Sequence, residues 1–219
     1  MASTSIKAPT TSTTGMPLTL PMPRTIRPSV ADWNRIFKRF LELKKEGVDV
    51  RVILPKYSTI PTYLKDQLKE VAIFDVRLSW RTQYCGIYSL VKDGVTFYFI
   101  DNEFYFKREG NIYGFYDDAE RFAFFSRAIL EIIPHIDFKP DIIHCNDWQT
   151  ALTPLYYSTI YATQPGYENI KTVFTIHNIQ YQGVYGKELI DNVIGLDYSH
   201  KNLIEYDDTV NFSKAAIEC

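Results

Sequence analysis

The sequence predicts an α/β fold with a mainly parallel sheet. The first observation is that short apolar runs, with the length of buried strands, alternate along the chain with segments of helical periodicity. The second is a pair of such runs, at residues 142–145 and 172–176, with a helical pattern at 150–163 between them. Runs separated in this way are typical of a strand–helix–strand unit with parallel strands.

Each remaining element follows from its pattern and from the residues that end it. A helix is predicted at 32–46, where large apolar side chains form one stripe and Gly47 ends the pattern. Another helix is predicted at 118–134, with Asp117 or Asp118 as its cap and apolar residues on one face. Strands are predicted at 48–54, 71–76, 86–91 and 95–100, the last two joined by a turn at 92–94, and a loop is predicted at 103–117.

Residues 1–28 are predicted to be a disordered or leader segment, followed at 29–219 by one folded unit. The first fourteen residues are almost all small and polar, and four prolines follow between positions 17 and 28. No acidic residue occurs before Asp32. Organellar transit peptides are also rich in serine and poor in acidic residues. The predicted location is the cytoplasm. The alternative is the plastid, if residues 1–28 are a transit peptide.

Composition argues against several classes of partner. The net charge is only -2, with 24 basic and 26 acidic residues, so electrostatic capture of nucleic acid or of an anionic membrane is not expected. No apolar run approaches the roughly 20 residues of a transmembrane helix. The cysteines are odd in number and lack metal-ligand spacing, which predicts reduced thiols: Cys85, Cys145 and Cys219.

Polar side chains follow the apolar run at 142–145. Asp147 comes directly after this predicted strand, where a carboxylate can orient a sugar hydroxyl or act in acid–base chemistry. The same residue could instead cap the next helix. Trp148 is interpreted as a core residue rather than as a platform for a ligand. Arg121, next to Glu120 on the preceding predicted helix, is interpreted as a member of a surface ion pair, with a carboxylate in the site as the alternative partner.

A second cluster of polar residues follows the run at 172–176. His177 ends this strand, where a histidine is often a core residue that is satisfied by its neighbours. The residues after it favour a ligand site, because neutral hydrogen-bonding groups crowd one short loop and match a polyhydroxyl ligand better than an anion. Asn178 and Gln182 could instead satisfy the loop's own backbone. The proposed ligand-binding residues are Asn178, Tyr181, Gln182 and Gly183, the last of which allows a tight turn or a close approach.

Several motifs are absent from the sequence. There is no Gly-x-Ser-x-Gly elbow, no His-Glu-x-x-His and no Cys-x-x-Cys. The chain has 10 glycines, of which no two are adjacent and none form Gly-x-Gly, so it contains no glycine-rich phosphate loop.

From about Lys45 to Cys219 the chain resembles the N-terminal domain of bacterial glycogen synthase and plant starch synthase. Four segments carry the resemblance, in the order of the family: Gly47–Tyr57, Tyr113–Ser126, His144–Leu152 and Phe174–Gly183. The resemblance implies a GT-B architecture of two Rossmann-like domains. It also implies transfer of glucose from ADP-glucose to the non-reducing end of an α-1,4-glucan, with retention and with neither a metal nor another cofactor.

The resemblance also implies roles for individual residues. His177 matches the histidine near the transferred glucose, and Asp147 matches an aspartate on the catalytic face. Asn178 and Tyr181 match the loop beside the sugar. Glu120 and Arg121 match a motif that is not catalytic.

The chain departs from the family pattern at both ends. The family opens with a central strand and the motif Lys-Thr-Gly-Gly-Leu-Gly-Asp, for which residues 1–44 show no counterpart. The resemblance also leads us to expect that this segment ends before the family's C-terminal domain, which supplies most of the ADP contacts in the family. We therefore expect an acceptor-side fragment that needs this domain for activity and is inactive alone. The alternatives are a non-enzymatic glucan-binding or regulatory module and a frameshifted gene.

Overall fold

The computed structural model describes residues 3–7 and 40–219, and its centre is a seven-stranded sheet. The strands of this sheet are β1 (Ser3–Lys7), β2 (Asp49–Pro55), β3 (Lys69–Leu78), β4 (Arg81–Lys92), β5 (Val95–Asp101), β6 (Ile142–Asn146) and β7 (Lys171–Thr175). Their spatial order is β3-β4-β5-β2-β1-β6-β7. A small second sheet has the order β8-β10-β9 and consists of β8 (Val184–Tyr185), β9 (Glu205–Tyr206) and β10 (Thr209–Asn211).

Strand direction confirms the α/β class and places the functional end of the sheet. β2 pairs parallel with β5, and β6 pairs parallel with β7. β1 is antiparallel to both β2 and β6, and β4 is antiparallel to both β3 and β5. Five of the seven strands, all except β1 and β4, therefore run in one direction. The carboxyl ends of β2, β5, β6 and β7 consequently lie along the same edge.

The helices cover this sheet. The longest begins at Asp118 and ends at Glu131, and its predicted apolar face is confirmed, since Phe122, Phe125 and Ile129 are buried. The other helical segments are residues 40–45, Thr62–Lys65, Glu103–Phe106, Ile133–His135, Trp148–Thr150, Leu152–Tyr156, Tyr157–Tyr161, Ile190–Ile194, Tyr198–Leu203 and Phe212–Glu218. Among the residues described, no helix combines the length and the apolar character that a bilayer crossing requires.

The N-terminal strand departs from the expectation of a disordered leader. Ser3–Lys7 pairs with β2 through five residue pairs and with β6 through three. Composition did not reveal this strand, because strands pair through their backbone N–H and C=O groups. Every residue of Ser3–Lys7 carries these groups, whatever its side chain. The family's opening strand lies in the middle of the sheet, and we expected its place to be empty because residues 1–44 show no counterpart. β1 occupies a central place in this sheet. Residues 8–39 lie outside the described structure, and with them the predicted boundary at residue 28 and the first part of the helix predicted at 32–46.

Three other predictions are confirmed in outline and corrected in detail. The hairpin of β4 and β5 closes at the predicted turn, where Asp93 and Gly94 both have positive φ, 51° and 78°. The predicted loop at 103–117 contains a short helix, Glu103–Phe106, whose first turn is capped by the Asn102 side chain. The single crossover helix predicted at 150–163 is instead three consecutive short helical segments between residues 148 and 161.

The predicted surface ion pair of Arg121 is wrong. Arg121 is fully buried, pairs with the Asp118 carboxylate and donates from Nε to the Tyr105 carbonyl at 2.7 Å. Glu120 pairs with Arg81. A buried guanidinium is tolerated only when its charge and its donors are matched, and helical spacing alone did not reveal these partners. This network packs the start of the long helix against the loop that precedes it.

Candidate functional site

The parallel pair β6–β7 brings the two predicted polar clusters together. Asn146 and Thr175 are opposite one another at the ends of these strands. The next residue, Asp147, donates its backbone N–H to the Thr175 carbonyl at 2.8 Å. His177 follows Thr175 by two residues. The strand register therefore brings Asp147 and His177 together.

The Asp147 carboxylate holds the backbone of the second cluster. Its Oδ1 accepts the backbone N–H of His177 at 2.7 Å and that of Asn178 at 3.3 Å. It makes no hydrogen bond that would cap the helical turn Trp148–Thr150. The capping alternative is therefore wrong, and the side chain instead connects the two strand ends. Bonds to an ionised acceptor are stronger than neutral ones.

Asp147 also has an unusual backbone conformation. Its φ of 57° and ψ of 175° fall in a region used almost only by glycine. A non-glycine residue there carries strain of about 1–3 kcal/mol and persists only where its surroundings fix it. Here the surroundings include the bond to Thr175 and the two bonds to the carboxylate. Strain of this kind is found preferentially at functional sites.

The His177 ring is fixed by a residue that the sequence did not single out. Its Nε2 lies 3.0 Å from Oδ1 of Asn146, and the ring is half-buried. An amide oxygen accepts hydrogen bonds, so this contact favours the tautomer of His177 that is protonated at Nε2. Asn146 is buried at the last position of β6. A polar residue at the end of an apolar strand was the only available signal for it.

A second histidine, His144, is a neighbour of His177. Nε2 of His144 is 2.7 Å from the Thr175 hydroxyl. Burial, and secondarily the neighbouring His177, lower the pKa of His144 below its usual value of 6.5. Its ring therefore favours the neutral form. The sequence alone indicates no role for His144, because a histidine inside an apolar run resembles an ordinary core residue.

The loop after His177 is held largely by its own side chains. Oδ1 of Asn178 accepts the Gln180 N–H at 3.0 Å, and Nε2 of Gln182 donates to the Ile179 carbonyl at 3.0 Å. Oε1 of Gln182 also accepts from the side chain of Asn211 at 2.8 Å. These contacts match the alternative in which Asn178 and Gln182 satisfy the backbone of the loop.

Aromatic rings flank this loop on two sides. Tyr181 is half exposed, and its ring lies 6.4 Å from that of Tyr113, at the end of the loop that precedes the long helix. Trp148 is buried against Phe122, with 5.0 Å between ring centres, which confirms it as a core residue. Gly183, with φ of 69°, passes so close to Trp148 that an added Cβ would lie 2.8 Å from the indole ring.

The site presents a carboxylate, an imidazole and several amides, which suit hydrogen bonds to hydroxyl groups. Oδ2 of Asp147 makes no hydrogen bond within the described residues, whereas Oδ1 is engaged by two. Over residues 3–7 and 40–219, no three His, Cys, Asp or Glu side chains are grouped as metal ligands would be.

Comparison with known proteins gives this geometry a context. A glycogen synthase of Clostridioides difficile (strain 630) is 60% identical over 181 residues, which are 80% of this chain and 38% of that protein. A glycogen synthase of Desulforamulus reducens is 54% identical over 177 residues, which are 80% of this chain and 37% of that protein. The solved catalytic domain of starch synthase IV from Arabidopsis thaliana, bound to ADP and acarbose, matches with a TM-score of 0.65 and 32% identity. That match covers 76% of this chain and 35% of the solved chain.

The chain thus spans less than two-fifths of the length of these curated relatives. The starch synthase catalytic domain family matches residues 41–219, which include every residue of the site described above. We conclude that this chain belongs to the starch synthase catalytic domain family.

Proposed function

We propose that this chain supplies the acceptor side of an enzyme that transfers glucose from ADP-glucose to the non-reducing end of an α-1,4-glucan, with retention of configuration. The observation that carries the proposal is the convergence of Asn146, Asp147 and His177 at adjacent strand ends, in a member of the starch synthase catalytic domain family. The carboxyl ends of parallel strands are where open α/β sheets bind their ligands.

Each of the three residues has a distinct task in this proposal. The ring of His177 contacts the transferred glucose, and Asn146 fixes the orientation of that ring. Asp147 is a positioning residue through Oδ1, which holds the backbone of residues 177 and 178. Its Oδ2 is available to a sugar hydroxyl. Tyr181 borders the sugar on the solvent side, and the neighbouring loop supplies further hydrogen-bonding groups.

A chimeric enzyme tests this proposal directly. Residues 41–219 would replace the matching segment of the Clostridioides difficile glycogen synthase, to which they are closely similar. We expect the purified chimera to incorporate radiolabelled glucose from ADP-glucose into glycogen. A soluble, folded chimera that incorporates none would contradict the proposal.

The 219-residue chain assayed by itself should not transfer glucose. Charge develops on the leaving ADP, and preorganised cations are needed to stabilise it. The hydrogen-bonded groups around Asp147 and His177, as far as the structure describes them, include no lysine or arginine. Measurable elongation of glycogen by this chain would show that this expectation is wrong.

A glucan-binding module without activity is the second candidate. It is favoured by exposed aromatic side chains, since Tyr181 in the site is 51% exposed and Tyr116 in the loop 103–117 is 93% exposed. Flat apolar rings of this kind suit the faces of sugars. An inactive chimera, together with co-sedimentation of the 219-residue chain with glycogen, would favour this function over transfer.

A further inference from the structure

The large sheet has a free edge at β3. Among the residues that the structure describes, β3 pairs with β4 on one side and with no strand on the other. It has ten residues, about twice the length of a typical strand. The backbone N–H and C=O groups along its outer edge are a template for pairing with a further strand. This edge is therefore open to association with another chain.

Apolar side chains are exposed along this edge. Val71 and Ile73 of β3 are 39% and 56% exposed. Tyr84 on β4 lies opposite Asp75 and is 41% exposed. Since opposite residues of paired strands share a face, and so do residues two apart on one strand, Tyr84 and Ile73 lie on the same face. An apolar surface of this kind on an edge strand is typical of a place where strands associate.

Two exposed charges of opposite sign flank the apolar pair on β3. Lys69 precedes Val71 by two residues, and Asp75 follows Ile73 by two. Both charged side chains are exposed, and neither forms an ion pair within the described residues. Ala72, a small residue, stands midway between the two charges. The segment thus has a positive end, an apolar centre and a negative end.

This pattern is complementary to itself when two copies of β3 run antiparallel. A two-fold axis at Ala72 places Lys69 of each copy opposite Asp75 of the other, and the two exposed apolar residues opposite one another. Each of these contacts then occurs twice, and opposite charges in cross-strand pairs are stabilising. An axis one residue further along the strand would instead place Lys69 opposite Arg77, and like charges directly opposite one another are destabilising. The charges therefore select one register.

Two features that commonly protect edge strands, a lysine and a bulge, are present on β3. In the register about Ala72 the charge of Lys69 is matched by a carboxylate, so this lysine attracts a second copy. A bulge interrupts the pairing with β4 between Glu70 and Ala72, whereas residues 72–78 pair without irregularity. The bulge shortens the regular stretch that a partner strand can use, so an association through this edge is transient.

We propose that the outer edge of β3 is a self-association surface, where two copies of this chain pair as antiparallel strands about Ala72 and join their large sheets into one. Contact through one pair of strands places this interface among the small, transient ones, below about 1,200 Å². The surface is independent of the proposed transfer of glucose, because β3 and β7 are the two opposite edges of the sheet and the candidate site lies at β6 and β7.

The test is sedimentation equilibrium of the 219-residue chain at low ionic strength, where exposed charge pairs are screened least. The protein is measured up to about 0.5 mM, at which a pair with a dissociation constant of about 0.1 mM is mostly dimeric. Lys69→Asp and Asp75→Lys each place like charges opposite one another in the dimer, whereas a chain with both changes restores opposite charges. The matched control is Lys171→Asp, at the exposed start of β7 on the other edge of the sheet. A thermal melt establishes that each variant is folded.

We expect the original chain and the control to dimerise with a dissociation constant of about 0.1 mM or below. Each single variant should dimerise at least about tenfold more weakly, since both charge pairs change from attraction to repulsion. The doubly substituted chain should regain the dimer, and so should an equimolar mixture of the two single variants. The proposal is overturned if the original chain remains monomeric, if both folded single variants dimerise unchanged, or if neither the double variant nor the mixture regains the dimer. Growth beyond a dimer with rising concentration would also contradict a closed two-fold pair.

Discussion

The Asp147 carboxylate accepts the backbone N–H of His177 at 2.7 Å, across the ends of two parallel strands. This bond, and its companion to the Asn178 N–H at 3.3 Å, fix the chain at the point where it leaves the sheet. The His177 ring is then oriented by Asn146 at 3.0 Å. The position of the imidazole thus depends on two consecutive residues of the neighbouring strand end.

Substitutions of Asp147 should show how much its carboxylate hydrogen bonds add to the free energy of unfolding and how much its backbone strain subtracts. Asp147→Ala removes the acceptor of two N–H groups and should lower the free energy of unfolding by about 1.5–3 kcal/mol. Asp147→Asn keeps an acceptor oxygen and should cost less. Asp147→Gly should be more stable than Asp147→Ala, because only glycine adopts φ 57° and ψ 175° without strain. Urea unfolding of the three variants checks this order, and an alanine variant as stable as the original chain would contradict it.

His144 should make the stability of the chain depend on pH. Burial lowers its pKa in the folded state below the 6.5 of the unfolded state. The unfolded chain therefore binds more protons once the pH falls below about 6.5, and the free energy of unfolding decreases until the folded-state pKa is passed. Above pH 7 both states are neutral and this contribution is constant.

Substitution of this residue isolates the effect. His144→Gln should reduce the change in unfolding free energy between pH 7.5 and pH 5, measured by urea unfolding at each pH. The control is His200→Gln, on the Tyr198–Leu203 turn at the surface. An identical pH profile for His144→Gln and the original chain would exclude His144 as the source.

Gly183 should be intolerant of any side chain. Its φ of 69° disfavours L-residues, and an added Cβ would lie 2.8 Å from the Trp148 ring and 3.0 Å from Phe212. Gly166 is a matched control, since its φ is 93° but an added Cβ meets nothing within 4 Å. Gly166→Ala should lower the unfolding free energy by about 1–2 kcal/mol through conformation alone. Gly183→Ala should lower it by a further ~1–3 kcal/mol through overpacking. Equal losses of unfolding free energy in the two variants would show that Trp148 can move away from the added Cβ without loss of stability.

The three cysteines should differ sharply in reactivity. Cys85 and Cys145 are buried, and burial raises the pKa of both thiols, that of Cys145 to about 12. Cys219 is exposed. Titration of the folded chain with Ellman's reagent at pH 8 should therefore modify one thiol rapidly and the other two only after unfolding. Rapid modification of all three would contradict the described packing of β4 and β6.

The part of the site that could be predicted from the sequence is the part that follows from a local pattern of residues. The apolar runs that become β6 and β7 end in polar residues, and parallel pairing of such runs requires that Asp147 and His177 converge. The sequence could not predict contacts that join distant or unremarkable residues. The bond between Gln182 and Asn211 spans 29 positions, and Arg121 is buried through partners on a separate loop.

The N-terminal strand illustrates a different limit. Ser3–Lys7 has a composition typical of disorder, yet its backbone groups pair with β2 and β6 on both sides. A prediction based on side chains cannot detect that two strands, here β2 and β6, leave a gap that a third strand can fill.

The turnover number of the chimera that carries His177→Ala is the measurement that tests the central claim most directly. We predict that it falls by at least about 100-fold relative to the unmodified chimera, since a group that acts in the transition state is worth about 2.7 kcal/mol or more. The matched control, His200→Ala, should leave turnover unchanged. A His177→Ala chimera that is folded and as active as the control would contradict the assignment of the functional site to the ends of β6 and β7.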